Sequence, residues 1–471
     1  MTLSFYNSLT RRLEPFSSLV PGKAGLYTCG PTVYNFAHIG NFRAYMFEDI
    51  LRRTLSYAGY QVTQVMNLTD VDDKTIRGAK QTNVPLKTFT APYIQAFFED
   101  IKALNIQPAE VYPAATDHIP EMITLITTLF DKGLAYKSPD GSVYFSVDKL
   151  PSYGKLAHLD RSQLRSGVRV SQDEYDKEGF GDFAIWKGWD ENDGAVVWDA
   201  PWGKGRPGWH IECSAMAMKY LGETFDIHTG GIDNLFPHHE NEIAQAEGAT
   251  GKEFVRTWLH CAHLRVNGEK MSKSLGNFFT LRDLFAKGYT GREIRSVLIS
   301  AHYRQPLNFT FDALEAARTS LSRLDECRDA LAAFCAAPVS GGQAPLSGGQ
   351  ALDKFSEALA DDLNTPEAFA ALYGLVRETN AALAAGKLSP SEAGGILAVF
   401  DKMDTVLGIV HFGRKAVQEI PSDILELAEQ RKQARLQKNW SESDRLRDLL
   451  AEKGWVIRDG KDGQTLKPAA Q

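Results

Sequence analysis

Residues Cys29 to Asn41 read C-G-P-T-V-Y-N-F-A-H-I-G-N and set a cysteine, a turn and a histidine-glycine pair at the mouth of one helix. Upstream, the apolar run Ala24 to Thr28 reads as a buried strand that Gly30-Pro31 ends. Downstream, Phe42, Tyr45, Met46, Ile50 and Leu51 recur with the helical period, which predicts a helix through Leu55. A glycine between strand and helix leaves room for a phosphate near the helix N-terminus. His38 and Asn41 are three residues apart and are expected to face one ligand. A helix opening A-H-I-G-N is common by chance, so its meaning depends on a partner elsewhere in the chain.

That partner is Gly268 to Asn277, G-E-K-M-S-K-S-L-G-N. Lys270 and Lys273, flanked by serines and bracketed by Gly268 and Gly276, predict a mobile cationic loop rather than a packed element. Such a loop can close over a triphosphate and neutralise the charge that develops as pyrophosphate leaves. A single Lys-Ser cluster would more simply be a solvated surface loop; the pairing with His38-Ile39-Gly40-Asn41 reverses that preference.

With both stretches in view, the chain resembles the class I aminoacyl-tRNA synthetases. Their HIGH and KMSKS motifs match His38-Ile39-Gly40-Asn41 and Lys270-Met271-Ser272-Lys273-Ser274. Within that class it is similar to the cysteinyl-tRNA synthetases, through Y-T-C-G-P-T-V-Y, N-L-T-D-V-D-D-K (Asn67 to Lys74), G-R-P-G-W-H-I-E-C-S-A-M (Gly205 to Met216) and F-P-H-H-E-N-E (Phe236 to Glu242), in that order. The resemblance spans nearly the whole chain. One position departs: Asn41 stands where the motif has a second histidine, and an amide cannot carry positive charge.

The resemblance implies a fold, an activity and a set of site residues. The fold is α/β: a Rossmann-like nucleotide-binding catalytic domain with a connective insertion, then a helical bundle and a small C-terminal anticodon-binding domain. The activity is that of a cysteine ligase that forms cysteinyl-adenylate from L-cysteine and ATP with Mg²⁺, then passes the acyl group to the terminal ribose of tRNA(Cys). His38, Gly40, Asn41, Lys270 and Lys273 would hold ATP and the transition state. Gly30, Thr69, Trp209 and Asp233 would form the cysteine pocket, and Cys29, Cys213, His238 and Glu242 would bind one zinc ion. His210 and His239 are expected to be packing neighbours rather than ligands.

Spacing alone says less about the metal. His238 and Glu242 are four apart in a helix predicted after Pro237, and Trp209 and Cys213 share that spacing in another. A surface His-Glu pair is the commoner meaning of the pattern. The chemistry of the implied set is sound, because zinc takes thiolate, imidazole and carboxylate and can accept a fifth ligand. The substrate sulfur would be that ligand, which offers a way to reject serine that packing cannot, since packing distinguishes small groups by only about 1–3 kcal/mol. No editing domain is therefore expected.

Composition is consistent with a soluble enzyme. The 471 residues predict roughly three domains, and 43% apolar with 24% charged residues is ordinary globular composition. No run approaches a membrane span, and M-T-L-S-F-Y-N-S-L-T-R-R lacks the pattern of a signal peptide, so a cytoplasmic protein is expected, acting as a monomer. Five irregularly spaced cysteines argue against a disulfide framework. A net charge of -7 argues against indiscriminate nucleic-acid binding.

Along the chain, strand-like runs (Ala24 to Thr28, Gln61 to Leu68) alternate with helix-like ones (Phe42 to Tyr57, Leu86 to Leu104), which predicts a parallel sheet covered by helices. Cys29 and Thr69 fall at strand C-termini, where such sheets bind ligands. The expected divisions are 1–132 and 205–266 for the two catalytic halves and 133–204 for the insertion. Beyond them come 267–311 for the lysine loop and stem-contact region, 312–410 for the bundle and 411–471 for the C-terminal domain. Within the insertion, short strands are expected at 135–136, 143–147, 183–186 and 196–198; its aromatic content fits either an acceptor-end contact or a satellite core. Leu281 to Tyr303 reads as helical. Thr365 and Ser389 each precede a proline as helix caps, and S-G-G-Q-A at 340–344 and 347–351 reads as a flexible loop.

The C-terminal section carries 12 Lys+Arg against 10 Asp+Glu. Arg431, Arg435 and Lys438 fall at i, i+4 and i+7, with Lys432 beside them and Trp440 at the end. A basic stripe ending in an aromatic suits RNA backbone contact and base stacking, and a solvated helix face is the plainer alternative. K-N-W-S-E-S-D-R-L-R resembles the family's anticodon-binding region, whereas G-Q-T-L-K (Gly463 to Lys467) departs from its G-T-x-W ending.

Overall fold

The computed structural model describes residues 1–159, 169–170, 181–272, 275–335, 348–414, 421–460 and 463–468. The chain forms two compact units, Met1–Gly413 and Arg414–Gln471.

The first unit begins with a hairpin, β1 (Ser4–Asn7) and β2 (Arg12–Pro15). Then come β3 (Lys23–Thr28), α1 (Ile39–Tyr57), β4 (Gln61–Met66), α2 (Asp73–Thr82), α3 (Leu86–Ala103) and α4 (Ile119–Asp131). The insertion supplies β5 (Ala135–Lys137), β6 (Val143–Phe145), β7 (Arg169–Val170) and β8 (Asp182–Gly188), and β9 (Gly205–Pro207) follows directly after it. The second half follows as α5 (Trp209–Leu221), β10 (Phe225–Gly231), α6 (Glu240–Thr250) and β11 (Val255–Cys261).

Four strands make the central sheet, in the order β11-β10-β3-β4, and all its pairings are parallel. β3 pairs with β4 on one side and β10 on the other, so the order reverses at β3 and a crevice opens beyond its C-terminal end. Cys29 follows β3, Asn67 and Thr69 follow β4, Asp233 follows β10, and Cys261 ends β11. Four sequence-distant stretches thus meet on one edge.

The helix starts explain themselves locally. His38 caps α1 reciprocally with Asn41, Asp72 caps α2 with Thr75, and Ser389 caps the bundle helix Pro390–Leu407 with Glu392. The sequence reading passed over α2, although Asp72-x-x-Thr75 is its start signal. It also placed the cap at Thr365; Asn364 is the N-cap, accepting from Glu367 N, and Thr365 is already helical.

The insertion is a mixed sheet in which β8 is paired with β6, β7 and β9. The strand expected at 196–198 is only an isolated bridge, Trp198 to Gly205. Phe145, Phe183, Ile185 and Trp186 share one core with Met122, Ile211, Cys213 and Ala246, so the insertion and the catalytic half bury a common surface instead of two separate ones. Polar groups seal the joint. The buried Glu240 carboxylate accepts from Gly154 N (2.8 Å), Leu156 N (2.9 Å) and Ala157 N (2.9 Å), and Tyr153 Oη donates to Asn241 Oδ1 at 2.7 Å. Arg206 and Lys187 both pair with Asp73 at the start of α2.

After the sheet come β12 (Leu264–Val266), β13 (Glu269–Lys270), α7 (Leu281–Ala286), α8 (Gly291–Leu298) and β14 (Leu307–Phe309). The single helix expected over 281–303 is therefore broken. Gly288 takes a left-handed φ of +83°, and Thr290 with Glu293 caps a fresh start. The bundle follows as α9 (Phe311–Cys335), α10 (Gly349–Ala360), α11 (Thr365–Ala384) and α12 (Pro390–Leu407). Residues 340–344 of the expected low-complexity loop lie outside the described residues, whereas Gly349 to Ala351 already belong to α10. α1 and α8 share an apolar core with the bundle.

The second unit comprises α13 (Ser422–Leu436), α14 (Trp440–Glu452) and the hairpin β15 (Trp455–Gly460) and β16 (Gly463–Pro468), around Ile424, Leu450, Trp455 and Ile457. Here the expected basic stripe is corrected. Arg431 is 2% exposed and holds Asp459 with both terminal nitrogens at 2.9 Å, and Arg435 reaches the same carboxylate at 3.0 Å. Lys438 lies beyond the helix end, with φ +58°. Two of the three cations thus serve an internal ion pair, because β15 brings Asp459 against the face that the sequence showed as basic.

Candidate active site

Cys29, at the end of β3, meets Cys213 from the second turn of α5 and His238 and Glu242 from the Pro237 turn and α6. Their donor atoms all lie within 4.8 Å of one another. Cys213, His238 and Glu242 are at most 1% exposed, so the cluster is walled off except at Cys29. A second donor set, Cys29, His228, His239 and Glu242, overlaps the first under the same limit.

The hydrogen bonds give the two sets different characters. His228 Nε2 lies 2.9 Å from Glu242 Oε2, and His239 Nε2 lies 3.3 Å from Cys29 Sγ. His239 Nδ1 continues to His260 Nε2 at 2.9 Å, and His260 Nδ1 to Ser8 Oγ at 2.8 Å. His228 and His239 thus act on Glu242 and Cys29 from outside. His238 differs: its Nδ1 meets His210 Nδ1 at 2.9 Å, while its Nε2 sits 3.1 Å from Glu242 Oε1, a buried oxygen that accepts no hydrogen bond.

The electrostatics suit a cation. Burial lowers His210, His238 and His260 to about 3 and His239 well below the ordinary imidazole range, so these rings are neutral, as ligands must be. A hydrogen bond with Cys213, then burial, raises the Cys29 thiol, whose proton a divalent ion would displace. Two sulfurs, a neutral imidazole and a buried carboxylate oxygen lacking a partner together fit zinc. Trp209 stacks on His238 at 4.1 Å and 24°, and Trp258 on His228 at 4.6 Å and 18°, which fixes both rings.

Beside the cluster, the loop after β3 is stitched to the loop after β4. Gly30 N donates to Asn67 Oδ1 at 2.9 Å, Asn67 Nδ2 to Thr69 Oγ1 at 3.1 Å, and Thr69 N to Pro31 O at 3.1 Å. A Cβ on Gly30 would lie 1.8 Å from Asn67 O, so only glycine permits this approach. Thr69 is buried, and Asp233 is exposed at the rim.

The two signature stretches touch. Ile39 N donates to Phe279 O at 3.0 Å, and the His38 and Phe278 rings meet at 4.8 Å. A Cβ on Gly40 would lie 2.9 Å from Met271 Cε. His38 and Asn41 do not simply point together at a ligand. His38 N donates to Asn41 Oδ1 at 3.1 Å, and Asn41 N donates to His38 Nδ1 at 3.2 Å. With Nδ1 accepting, the neutral ring keeps its proton on Nε2 as a donor. Asn277 accepts from Ser272 N at 2.7 Å and donates to Lys270 O at 3.2 Å, leaving Lys270 exposed on β13. Lys273 and Ser274 lie outside the described residues.

Sequence reasoning missed His228, His260, Asn67 and Tyr27, and it assigned His239 only to packing. Asn67 and Tyr27 stood in quoted motifs and could have been found; His228 and His260 carry no local pattern, because β10 and β11 deliver them from separate strands.

Residues 15–319 match the tRNA synthetases class I (C) catalytic domain family, residues 354–411 the DALR domain family and residues 417–466 the cysteinyl-tRNA ligase anticodon binding domain family. Among solved structures, Mycobacterium tuberculosis methionyl-tRNA synthetase with methionyl-adenylate has a TM-score of 0.58 at 16% identity, covering 82% of this chain and 88% of that one. An Agrobacterium radiobacter LeuRS in ternary complex with tRNA has a TM-score of 0.59 at 13% identity, over 84% and 85%. At such identities the likeness shows the fold alone; the match over residues 15–319 makes the chain a class I aminoacyl-tRNA synthetase. The cysteine–tRNA ligase of Protochlamydia amoebophila is 51% identical over 99% of this chain and 98% of its own length; that of Chlamydia felis is also 51% identical, over the same shares. The chain belongs to the cysteine–tRNA ligase family. Among the described residues, no helix is long and apolar enough to cross a membrane.

Proposed function

We propose that this chain activates L-cysteine with ATP and Mg²⁺ and transfers it to tRNA(Cys), with Cys29, Cys213, His238 and Glu242 as the ligands of one zinc ion. The observation that carries the reading is the convergence of these four donors on the sheet edge that also brings the two signature stretches into contact. His228 and His239, hydrogen-bonded to Glu242 and Cys29, are the outer partners that orient those ligands. Bound there, zinc would favour a substrate thiolate over a hydroxyl that stays protonated.

The remaining work falls to the chain itself. Gly30 and Thr69 form the floor of the amino-acid pocket, Trp209 closes its side, and Asp233 at the rim pairs with the substrate ammonium. His38 donates from Nε2, and Asn41 from the amide nitrogen that its cap leaves over, to ATP phosphate beside Gly40. Lys270 and Lys273 neutralise the charge that builds on the departing pyrophosphate. The cysteine carboxylate attacks the α-phosphate, and the terminal ribose hydroxyl of the tRNA then takes the acyl group. No side-chain nucleophile takes part; rate comes from positioning and electrostatic stabilisation.

The divisions at 132, 204, 266, 311 and 410 separate catalytic halves, insertion, stem-contact region, bundle and anticodon-binding unit. In the last, Trp440, 57% exposed with the Arg435 guanidinium 5.8 Å from its ring centre, is the stacking platform for an anticodon base. The enzyme works as a monomer in the cytoplasm. The test is exchange of labelled pyrophosphate into ATP without tRNA, across all twenty amino acids. Exchange with cysteine and not serine is expected; exchange with both, or with neither, would sink the thiol-selective reading.

A further inference from the structure

Between Thr32 and His38 the chain passes from the pocket proposed for cysteine to the proposed ATP contact. Both ends of this short loop are pinned: Val33 N donates to Thr69 O at 3.1 Å, and His38 bridges to Thr280. Two of its large side chains nevertheless stay open to water, Tyr34 and Phe36, each 38% exposed. Neither ring is loose. Phe36 meets the Tyr93 ring edge-on at 5.5 Å and 74°, and the Arg282 guanidinium lies 4.4 Å from its centre, itself held by both Asp100 oxygens at 2.9 Å. Tyr34 has the Lys74 ammonium 5.4 Å from its ring centre. Exposed aromatic rings held in place at a mouth lose little freedom on receiving another flat group.

The surroundings say which flat group. Lys74 and Arg77 are three apart on α2 and so share a face, and Arg77 is exposed. Asp73, the acid beside them, is drawn away by Arg206 and Lys187. Rings next to cations are the recognition chemistry of an unpaired nucleic-acid strand, whose bases stack and whose phosphates are neutralised. In the proposed reaction the terminal ribose of tRNA must reach the carbonyl that lies between cysteine and ATP, so the last nucleotides cross the stretch between those two subsites. With a net charge of -7 the surface as a whole does not attract RNA, and a local cationic face has to do so. We propose that Tyr34 and Phe36 form the stacking platform for the unpaired 3′ end of tRNA, with Lys74 and Arg77 on its phosphates. The inference rests on the reading of the chain as an enzyme that charges tRNA(Cys). It gives acyl transfer a contact that adenylate formation does not use, so the two half-reactions separate a platform from a loop that merely shapes the pocket.

The experiment uses the full-length chain as wild type, as Tyr34→Leu and Phe36→Leu, which keep apolar bulk and lose the flat face, and as Arg77→Gln. Cysteine-dependent pyrophosphate exchange, measured without tRNA, should stay at the wild-type level in all three variants. Charging of tRNA(Cys) should fall about 10-fold in kcat/KM for each ring removed, the scale of one base stacked on an aromatic side chain. Arg77→Gln should lower the slope of log tRNA affinity against log salt by about 1. Removing the unpaired 3′ nucleotides from the tRNA should weaken binding to wild type and make little further difference to the leucine variants. Exchange that falls in step with charging would assign the rings to the adenylate pocket, and unchanged charging would assign them to loop packing; either overturns the platform. Wild type that charges no tRNA(Cys) would instead overturn the reading on which the platform rests. A test that needs no variant places a photoreactive base in the unpaired end of the tRNA. Irradiation with wild type should attach it to Tyr34 or Phe36, located by fragmentation of the crosslinked peptide. Attachment only elsewhere, or none, overturns the proposal even where a variant fails to fold.

Discussion

Two helix faces in this chain carry the same arithmetic and end differently. His238 and Glu242 are four residues apart, as are Arg431 and Arg435, and in both places the spacing puts the side chains on one face. Where the Pro237 turn runs into α6, that pair meets Cys29 and Cys213 from other elements and becomes a set of four converging donors. On α13 it meets Asp459 on β15, and the cations are spent on an ion pair. Spacing says which side chains share a face; the element packed on that face decides their chemistry.

The sharpest way to break the comparison is at the first face. Cys213→Ser removes a donor of the first set and leaves only the overlapping set of Cys29, His228, His239 and Glu242. Zinc content should fall well below one per chain, and cysteine-dependent pyrophosphate exchange by two orders of magnitude or more, since changes to outer-shell partners alone cost about 10–100-fold. Full exchange with retained thiol selectivity would remove the metal from the mechanism.

In the C-terminal unit the expected losses are smaller and divide between Trp440 on α14 and Arg431 on α13. Trp440→Ala should weaken tRNA(Cys) binding by about 1–3 kcal/mol, the range for one base stacked on an aromatic ring, with exchange unaffected. Arg431→Ala should instead lower the stability of the C-terminal unit, by about 1–2 kcal/mol in chemical unfolding. That figure is reduced from the fully buried range because Asp459 stays well exposed to water. An Arg431→Ala protein that unfolds like wild type yet loses tRNA binding would restore the basic-stripe reading.

A third acid tests what burial does without a converging partner. Glu48 on α1 is 0% exposed; Oε1 accepts from Thr229 Oγ1 at 3.1 Å, and Oε2 has no partner. Burial raises its pKa well above the ordinary carboxylate value. The folded state thus holds this proton more tightly than the unfolded chain, and stability is lost as pH rises from the unfolded value through the folded one, at up to about 1.4 kcal/mol per pH unit. Glu48→Gln should match wild type near pH 4 and exceed it in urea unfolding at pH 7 to 8. A constant difference across that range would contradict a protonated Glu48.

The smallest effect is expected at Asn41. Its side chain accepts from His38 N as half of a reciprocal cap. Asn41→Ala should cost about 0.5–1 kcal/mol of stability, while Asn41→His tests whether a second imidazole can replace both the cap and the phosphate contact, read as Tm and as KM for ATP.

Much of this molecule is legible in its sequence wherever neighbouring residues act on one another. The strand before Cys29, the helix after His38, the parallel order of the sheet and the Ser389 cap follow from period, glycine and capping residues, which act within one turn or one strand. Legibility failed where a single residue outweighs the pattern. Gly288 breaks the helix expected over 281–303. His228 and His260 left no trace, because a strand residue facing inward looks the same whether it meets leucine or a polar cluster.

By itself the sequence determined the class of the fold, the family and the residue types of the site, since those are carried by ordered motifs and local periodicity. Only the tertiary structure decided that Cys29, Cys213, His238 and Glu242 share one buried centre, that Met271 rests on Gly40, and that Arg431 belongs to Asp459. Each of those pairings spans a separation at which chain spacing carries no information, and packing, burial and unmet hydrogen-bonding capacity choose the partner.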